Sequence, residues 1–211
     1  MIPNENEILD ALERRHGKEI QKKFSSAAVA VCGLGGLGSN ISISLARAGI
    51  GKLILIDFDS VDITNLHRQQ YKACQIGMYK TDALSENLKE IAPYIKLETH
   101  TVRVDESNIS GLLENADIIC EAFDNADAKA MLANIVLETM PEKYLIAGSG
   151  MAGFGSGNNI KTRRITDKFY LCGDGVSDVN DGIELLSSRV MLCAAHQAHM
   201  VLRILAEKFE P

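Results

Sequence analysis

The chain contains no tryptophan, only four prolines and only five cysteines in 211 residues. Each scarcity removes a class of protein. Few prolines and no long polar tract argue against a disordered or linker-like chain. Cys32, Cys74, Cys120, Cys172 and Cys193 are odd in number, widely spaced and form no C-x-x-C pair. That pattern excludes a disulfide framework and is expected of reduced thiols in a cytoplasm. It also lacks the paired thiolates of a structural zinc site, so no zinc is expected. No apolar run approaches the roughly 20 residues that span a bilayer, so no membrane segment is expected. The opening MIPNENEILDALERR is polar and acidic, without the apolar stretch of a secretory signal. A cytoplasmic location is the expectation that follows. Positive charge is in deficit too. The formal net charge is −6, so no global field draws nucleic acid or an anionic membrane.

What is present fits a globular α/β domain. The composition is 46% hydrophobic and 24% charged, enough apolar material for a sizeable core. Asn4 with Glu7 makes a capping box, and Ile8, Leu12, Ile20 and Phe24 follow at helical spacing. Ala28 to Cys32 reads as a short buried strand. A glycine loop and a helix from about Ser39 to Ala48 come next. Lys52 to Asp57 is apolar nearly throughout, as a strand buried on both faces should be. Helices over Tyr79–Ile91, Ser107–Glu114 and Ala126–Glu138 alternate with strands at Lys96–Val104, Asp117–Phe123 and from Lys143. Such alternation predicts a Rossmann-like, doubly wound, mainly parallel sheet. After Gly150 the pattern becomes glycine-rich and β-like, which predicts antiparallel strands added at the sheet edge. A helix from about Leu186 to Lys208 ends the chain. One domain is expected over 1–211: an N-terminal helical extension (1–26), the core (27–150), then edge strands and a C-terminal helix (151–211).

Chemistry concentrates where the strands end. Gly33, Gly35 and Gly38 form G-x-G-x-x-G between a strand and a helix. Glycine there permits a tight turn and lets backbone N–H groups approach phosphate oxygens, while the helix N-terminus adds partial positive charge. Asp57 follows about 20 residues on, where an acid can hold ribose hydroxyls. A glycine turn that merely packs helix on strand would look the same in isolation. The loop alone does not separate ATP from NAD.

The surrounding charges do. Gly36 adds a fourth glycine, and the segment after the second strand, DFDSVDITNLHRQ, places Asp57, Asp59, Asn65, Arg68 and Gln69 together. Lys80 opens a later helix, and Asp124 with Asn125 closes the third core strand. Nicotinamide chemistry has no use for so many charges. A nucleotidyl transferase does: it must neutralise a triphosphate, hold Mg²⁺ on a carboxylate, and stabilise departing pyrophosphate. Taken singly, Arg68 and Lys80 read as solvated charges, Asn65 and Asp59 as turn residues, and Asp124 as a helix N-cap. Cys193, His196 and His199 share one helix face, a pattern of an interfacial polar stripe rather than a metal site, since no fourth ligand is evident.

Together, GLGGLGSN, AGIGKLILIDFDSVDITNLHRQ, Lys80 and the Phe123–Asn125 tripeptide closely resemble the ThiF/MoeB/HesA family, relatives of ubiquitin-activating enzymes. The ending RVMLCAAHQAHMVLRIL and the short length look most like compact ThiF-type proteins of thiamine biosynthesis. The resemblance implies that Gly33, Gly35, Gly36 and Gly38 lie against nucleotide phosphates and that Asp57 holds the ribose. It implies that Asn65, Arg68, Gln69 and Lys80 contact the triphosphate and that Asp124 binds Mg²⁺ and is needed for adenylation, with Arg68 and Lys80 also catalytic. Asp59 and Asn125 belong to the same nucleotide-binding set. The implied reaction is ATP-dependent adenylation of the terminal glycine carboxylate of a small ubiquitin-like sulfur carrier ending in Gly-Gly. A homodimer is implied as well. The chain departs from longer relatives in lacking two C-x-x-C pairs, and neither Cys172 as a sulfur-bearing residue nor Arg14 or Arg15 as a donated arginine matches well. Alternatives are a carrier of the molybdopterin route, a tRNA-bound carboxylate, an NAD-dependent oxidoreductase, or a nucleotide-sensing module without catalysis.

Overall fold

The computed structural model describes residues 2–179 and 184–211. Two short helices begin the chain, α1 (Glu5–His16) and α2 (Lys18–Ser26). The Asn4–Glu7 capping box forms in both directions: the Glu7 N–H donates to Asn4 Oδ1 at 3.0 Å and the Asn4 N–H to Glu7 Oε2 at 2.8 Å. The N-terminal extension is therefore two helices rather than one, divided at Gly17 in the left-handed region.

The core is a single seven-stranded sheet in the order β3-β2-β1-β4-β5-β7-β6. Its strands are β1 (Ala28–Cys32), β2 (Lys52–Ile56), β3 (Lys96–His100), β4 (Ile118–Glu121), β5 (Tyr144–Gly148), β6 (Lys161–Arg164) and β7 (Phe169–Gly173). Every neighbouring pair from β3 to β7 is parallel. The expected antiparallel addition narrows to one strand, β6 on β7; β7 itself runs parallel to β5. Much of the glycine-rich stretch from Met151 is loop.

Alternate residues of each central strand feed two cores. Val29, Val31, Leu53 and Leu55 pack with α3 (Gly36–Arg47), α4 (Lys80–Ile91) and α7 (Ser187–Leu205). Ala30, Cys32, Ile54 and Ile56 pack with α5 (Ile109–Leu113) and α6 (Ala126–Thr139). Strands buried on both faces explain the near-continuous apolar runs. The sheet reverses direction of growth at β1: β2 and β3 lie on one side, β4 and β5 on the other. That is the switch point where open α/β sheets bind ligands, at the carboxyl ends of the strands.

Candidate functional site

The glycine loop sits at this switch point for steric reasons. Gly33 has φ +90°, and a Cβ there would lie 2.8 Å from the Ala122 carbonyl oxygen and 3.0 Å from the Phe123 ring. A Cβ on Gly38 would run into the Gly33 carbonyl. Only glycine lets β1, the first turn of α3 and the end of β4 approach so closely, and this closeness brings the Phe123–Asn125 turn beside the loop. Helix α3 starts at Gly36 with Gly35 as its N-cap and no side-chain cap, so its first N–H groups are left for another acceptor. Tyr71 Oη donates to the Leu34 carbonyl at 2.7 Å and fixes the loop from behind.

Asp57 ends β2. Its Oδ2 accepts from the Leu34 N–H at 2.6 Å and its Oδ1 from the Asp59 N–H at 2.7 Å. Burial pushes its pKa above the ordinary carboxylate value, opposed by the Lys80 charge and by these two N–H groups. Lys80, in the first turn of α4, is buried; its Nζ lies 2.7 Å from Asp59 Oδ2 and 3.8 Å from Asp57 Oδ2. The structure thus brings Asp57, Asp59 and Lys80 together, one ammonium shared between two carboxylates. A phosphate would have to compete with Asp59 for Lys80.

Asn65, Arg68 and Gln69 leave the same edge through a short 3₁₀ turn, Ile63–Asn65. Arg68 Nη2 donates to Asn65 Oδ1 at 2.9 Å, and a Cβ on Gly36 would lie 3.4 Å from Arg68 Cγ. Gln69 Nε2 sits 3.8 Å from where a Gly35 Cβ would be. Arg68 Nε and Gln69 Oε1 are both buried, with no hydrogen-bond partner among the described residues. Such atoms cost about 1–3 kcal/mol each when left unpaired, and here they lie against a phosphate-type loop. The segment is anchored to α3: the Gln70 N–H donates to Ser39 Oγ at 3.1 Å, and Asn40 Nδ2 donates to the Gly36 carbonyl at 2.7 Å and to the Arg68 carbonyl at 3.3 Å. Ser39, Asn40 and Tyr71 were missed as site residues. Ser39 and Asn40 lie inside the GLGGLGSN motif itself, and Tyr71 lies just after DFDSVDITNLHRQ.

Asp124 and Asn125 divide their expected roles differently. Asn125, not Asp124, is the N-cap of α6, its Oδ1 accepting from the Ala128 N–H at 3.0 Å. The side-chain oxygen of Asn125 is therefore spent on the helix. Asp124 is exposed and engages no partner among the described residues. A free carboxylate beside a phosphate loop fits Mg²⁺, which is typically held by one or two carboxylates plus substrate phosphates.

Three further features were not legible in the sequence. Glu121 is buried at the end of β4, pairing with Lys129 Nζ at 2.9 Å; burial raises its pKa, opposed by Lys129. Arg189 is buried in α7, donating to the Met151, Gly155 and Ser156 carbonyls and pairing with Asp174 at 2.6 Å. Cys172 is buried, and burial lifts its thiol to about 11, the opposite of an activated thiolate. Cys193 donates to the Cys172 carbonyl, His196 Nδ1 pairs with Thr162 Oγ1 at 2.9 Å, and His199 is exposed. The three side chains of that helix face engage different surroundings. Arg14 and Arg15 are exposed on α1.

Among the described residues, no helix is long and apolar enough to cross a membrane. Residues 9–211 match the model of the ThiF family. The chain is 35% identical over 133 residues to an adenylyltransferase and sulfurtransferase MOCS3 of Caenorhabditis briggsae, covering 62% of this chain and 32% of that protein. It is 32% identical over 136 residues to an adenylyltransferase and sulfurtransferase UBA4 of Lodderomyces elongisporus, covering 64% of this chain and 30% of that protein. The chain thus spans about a third of the length of these curated relatives. The fold resembles E. coli tRNA N6-threonylcarbamoyladenosine dehydratase, TcdA, in complex with AMP, at a TM-score of 0.86 and 19% identity, covering 99% of this chain and 98% of that one. It also resembles E. coli MccB with AMPCPP and MccA, at a TM-score of 0.73 and 22% identity, covering 100% and 68%. The family match over nearly the whole length, on a sheet whose glycine loop, Arg68, Lys80 and Asp124 fall at one edge, makes this chain a member of the ThiF family.

Proposed function

We propose that the chain adenylates a carboxylate with ATP and Mg²⁺, and that the carboxylate is the terminal glycine of a ubiquitin-like sulfur carrier ending in Gly-Gly. The observation that carries the reading is the unmet donor Arg68 Nε beside the glycine loop. Curated relatives bear the name adenylyltransferase and sulfurtransferase, and fold neighbours hold AMP or ATP. In the reaction a carboxylate oxygen attacks the α-phosphorus. The bond from that phosphorus to the β-phosphate oxygen breaks, and its electron pair leaves with pyrophosphate. Both reactants are anions, so the site must screen charge. Backbone N–H groups of the glycine loop hold phosphate oxygens, Asp57 takes the ribose, and Arg68 and Lys80 stabilise charge moving onto the β- and γ-phosphates. Bound at Asp124, Mg²⁺ would supply further charge neutralisation on the phosphates.

A carrier of the thiamine type is the first substrate to try, on the strength of the compact ThiF-like ending. A carrier of the molybdopterin route is the nearest alternative. A tRNA-bound carboxylate is favoured by one observation, the end-to-end match to TcdA, and disfavoured by the net charge of −6. Exchange of labelled pyrophosphate into ATP decides among them. Exchange should depend on a Gly-Gly-ending carrier and vanish when its terminal glycine is removed. Exchange stimulated by tRNA and not by any carrier would move the assignment to the second reading. A homodimer belongs to the same proposal: Phe154, Met191 and Leu192 are exposed apolar side chains near the Arg189 clamp. A monomeric mass by light scattering at micromolar concentration would contradict that part.

A further inference from the structure

The ion pair of buried Glu121 with part-exposed Lys129 takes no part in the chemistry just described, and it gathers several backbone groups at once. Glu121 is 1% exposed. Its Oε1 accepts from the Phe123 N–H at 2.7 Å. Lys129 Nζ donates to Glu121 Oε1 at 3.0 Å, to Oε2 at 2.9 Å, and to the carbonyl of Gly148 at 3.1 Å. Four pieces of backbone meet at this one pair: the end of β4, the turn that follows it, the first turns of α6, and the end of β5. From the other face of the sheet, Gln197 Nε2 donates to the Glu121 carbonyl at 3.0 Å and to the Ile146 carbonyl at 3.2 Å. Asn125 caps α6 inside the same frame, and the Lys129 N–H donates to the Asn125 carbonyl at 3.0 Å. The only exposed, unengaged charge within the bracketed turn is Asp124.

Stability alone is a weak reason for such a pair. Glu121 loses its hydration on burial and Lys129 part of its own, and well-packed apolar residues often do as well or better. What an apolar pair cannot do is accept the Phe123 N–H and grip the β5 carbonyl together. We infer that Glu121 and Lys129 are positioning residues for Asp124: the pair fixes the Phe123–Asn125 turn against the glycine loop, so that the Asp124 carboxylate is held ready for the nucleotide-bound metal ion. The inference rests on the adenylation reading above. Outer partners of this kind typically alter metal affinity by about 10–100-fold when removed.

The test uses Glu121→Asp, which is too short to reach both the Phe123 N–H and Lys129, the double variant Glu121→Gln/Lys129→Met, which leaves no unpaired buried charge, and Lys129→Arg as the conservative control. Amide hydrogen exchange is followed at residues 123–125 in the ligand-free chain. Mn²⁺ affinity of the ATP-saturated chain is measured by paramagnetic resonance. Faster exchange at Phe123 and a Mn²⁺ affinity lower by at least about tenfold are expected for Glu121→Asp and the double variant, with Lys129→Arg near wild type. Unchanged protection at 123–125, or unchanged Mn²⁺ affinity in a loosened turn, would overturn the inference. Should the double variant not fold, Glu121→Asp against Lys129→Arg carries the same comparison. Neither readout requires a carrier, so failure of carrier-dependent pyrophosphate exchange in the wild type would sink the substrate assignment separately.

Discussion

The two carboxylate-bearing corners of the sheet edge are built on opposite principles. At the end of β2, Asp57 and Asp59 close on Lys80, and backbone N–H groups take up the Asp57 oxygens. Lys80 there is already engaged within the chain. At the end of β4, buried Glu121 is partnered by part-exposed Lys129, while Asp124 is exposed with no partner among the described residues. Between the corners, Arg68 Nε and Gln69 Oε1 have no partner among the described residues. A ligand arriving at this edge must displace an internal contact at the first corner, meets the Arg68 side chain in the middle, and adds to an open charge at the second. Binding and stability are therefore coupled at Lys80 and separable at Asp124.

Substitutions sharpen that contrast. Asp124→Ala should cost about a hundred- to a thousand-fold in pyrophosphate exchange and change stability by no more than about 0.5 kcal/mol. A loss of rate accompanied by a large drop in Tm would break the distinction between the corners. Lys80→Ala should cost a similar factor in rate and also destabilise, because Asp57 is left buried beside an unneutralised Asp59. The expected stability loss is about 1–3 kcal/mol, below that of a wholly enclosed pair because Asp59 is partly exposed and Asp57 keeps both N–H bonds. Denaturant titration of the two variants side by side reads the difference directly.

Smaller effects should come from the middle and from the cap. Gly36→Ala would bring a Cβ within 2.9 Å of Val190 and 3.4 Å of Arg68 Cγ. Val190 must yield, at about 1–3 kcal/mol for overpacking, and the added methyl abuts the Arg68 side chain. ATP affinity by calorimetry should fall while the far-ultraviolet circular dichroism is retained. Asn125→Ala should be the mildest, removing a helix cap worth about 1 kcal/mol and lowering Tm slightly. A collapse of ATP binding in that variant would show that Asn125 serves the nucleotide more than the helix.

The parts of the fold written in local pattern were legible. Apolar runs marked the strands because central strands of a parallel sheet are buried on both faces, and the Asn4–Glu7 capping box formed as spelled. The split of the N-terminal extension at Gly17 was less visible, since apolar periodicity continues through it to Phe24. Antiparallel strands after Gly150 were overcounted because alternation describes a half-buried strand of either direction; the parallel pairing of β7 with β5 is a tertiary choice. In the site, Gly33, Asp57, Arg68, Lys80 and Asp124 stood out because their chemistry is motif-bound. Glu121, Lys129 and Arg189 did not. Their meaning lies in partners 8 to 38 residues away, which no local spacing displays.

Calorimetric titration of the chain with ATP and with NAD, each with Mg²⁺, tests the central claim most directly. The glycine loop alone would accept either nucleotide, and under the proposed function the choice between them rests on Arg68, Gln69, Lys80 and Asp124. Binding of ATP that weakens in Asp124→Ala and Arg68→Ala, with no comparable binding of NAD, is the expected result. Tight binding of NAD with no binding of ATP would contradict the account.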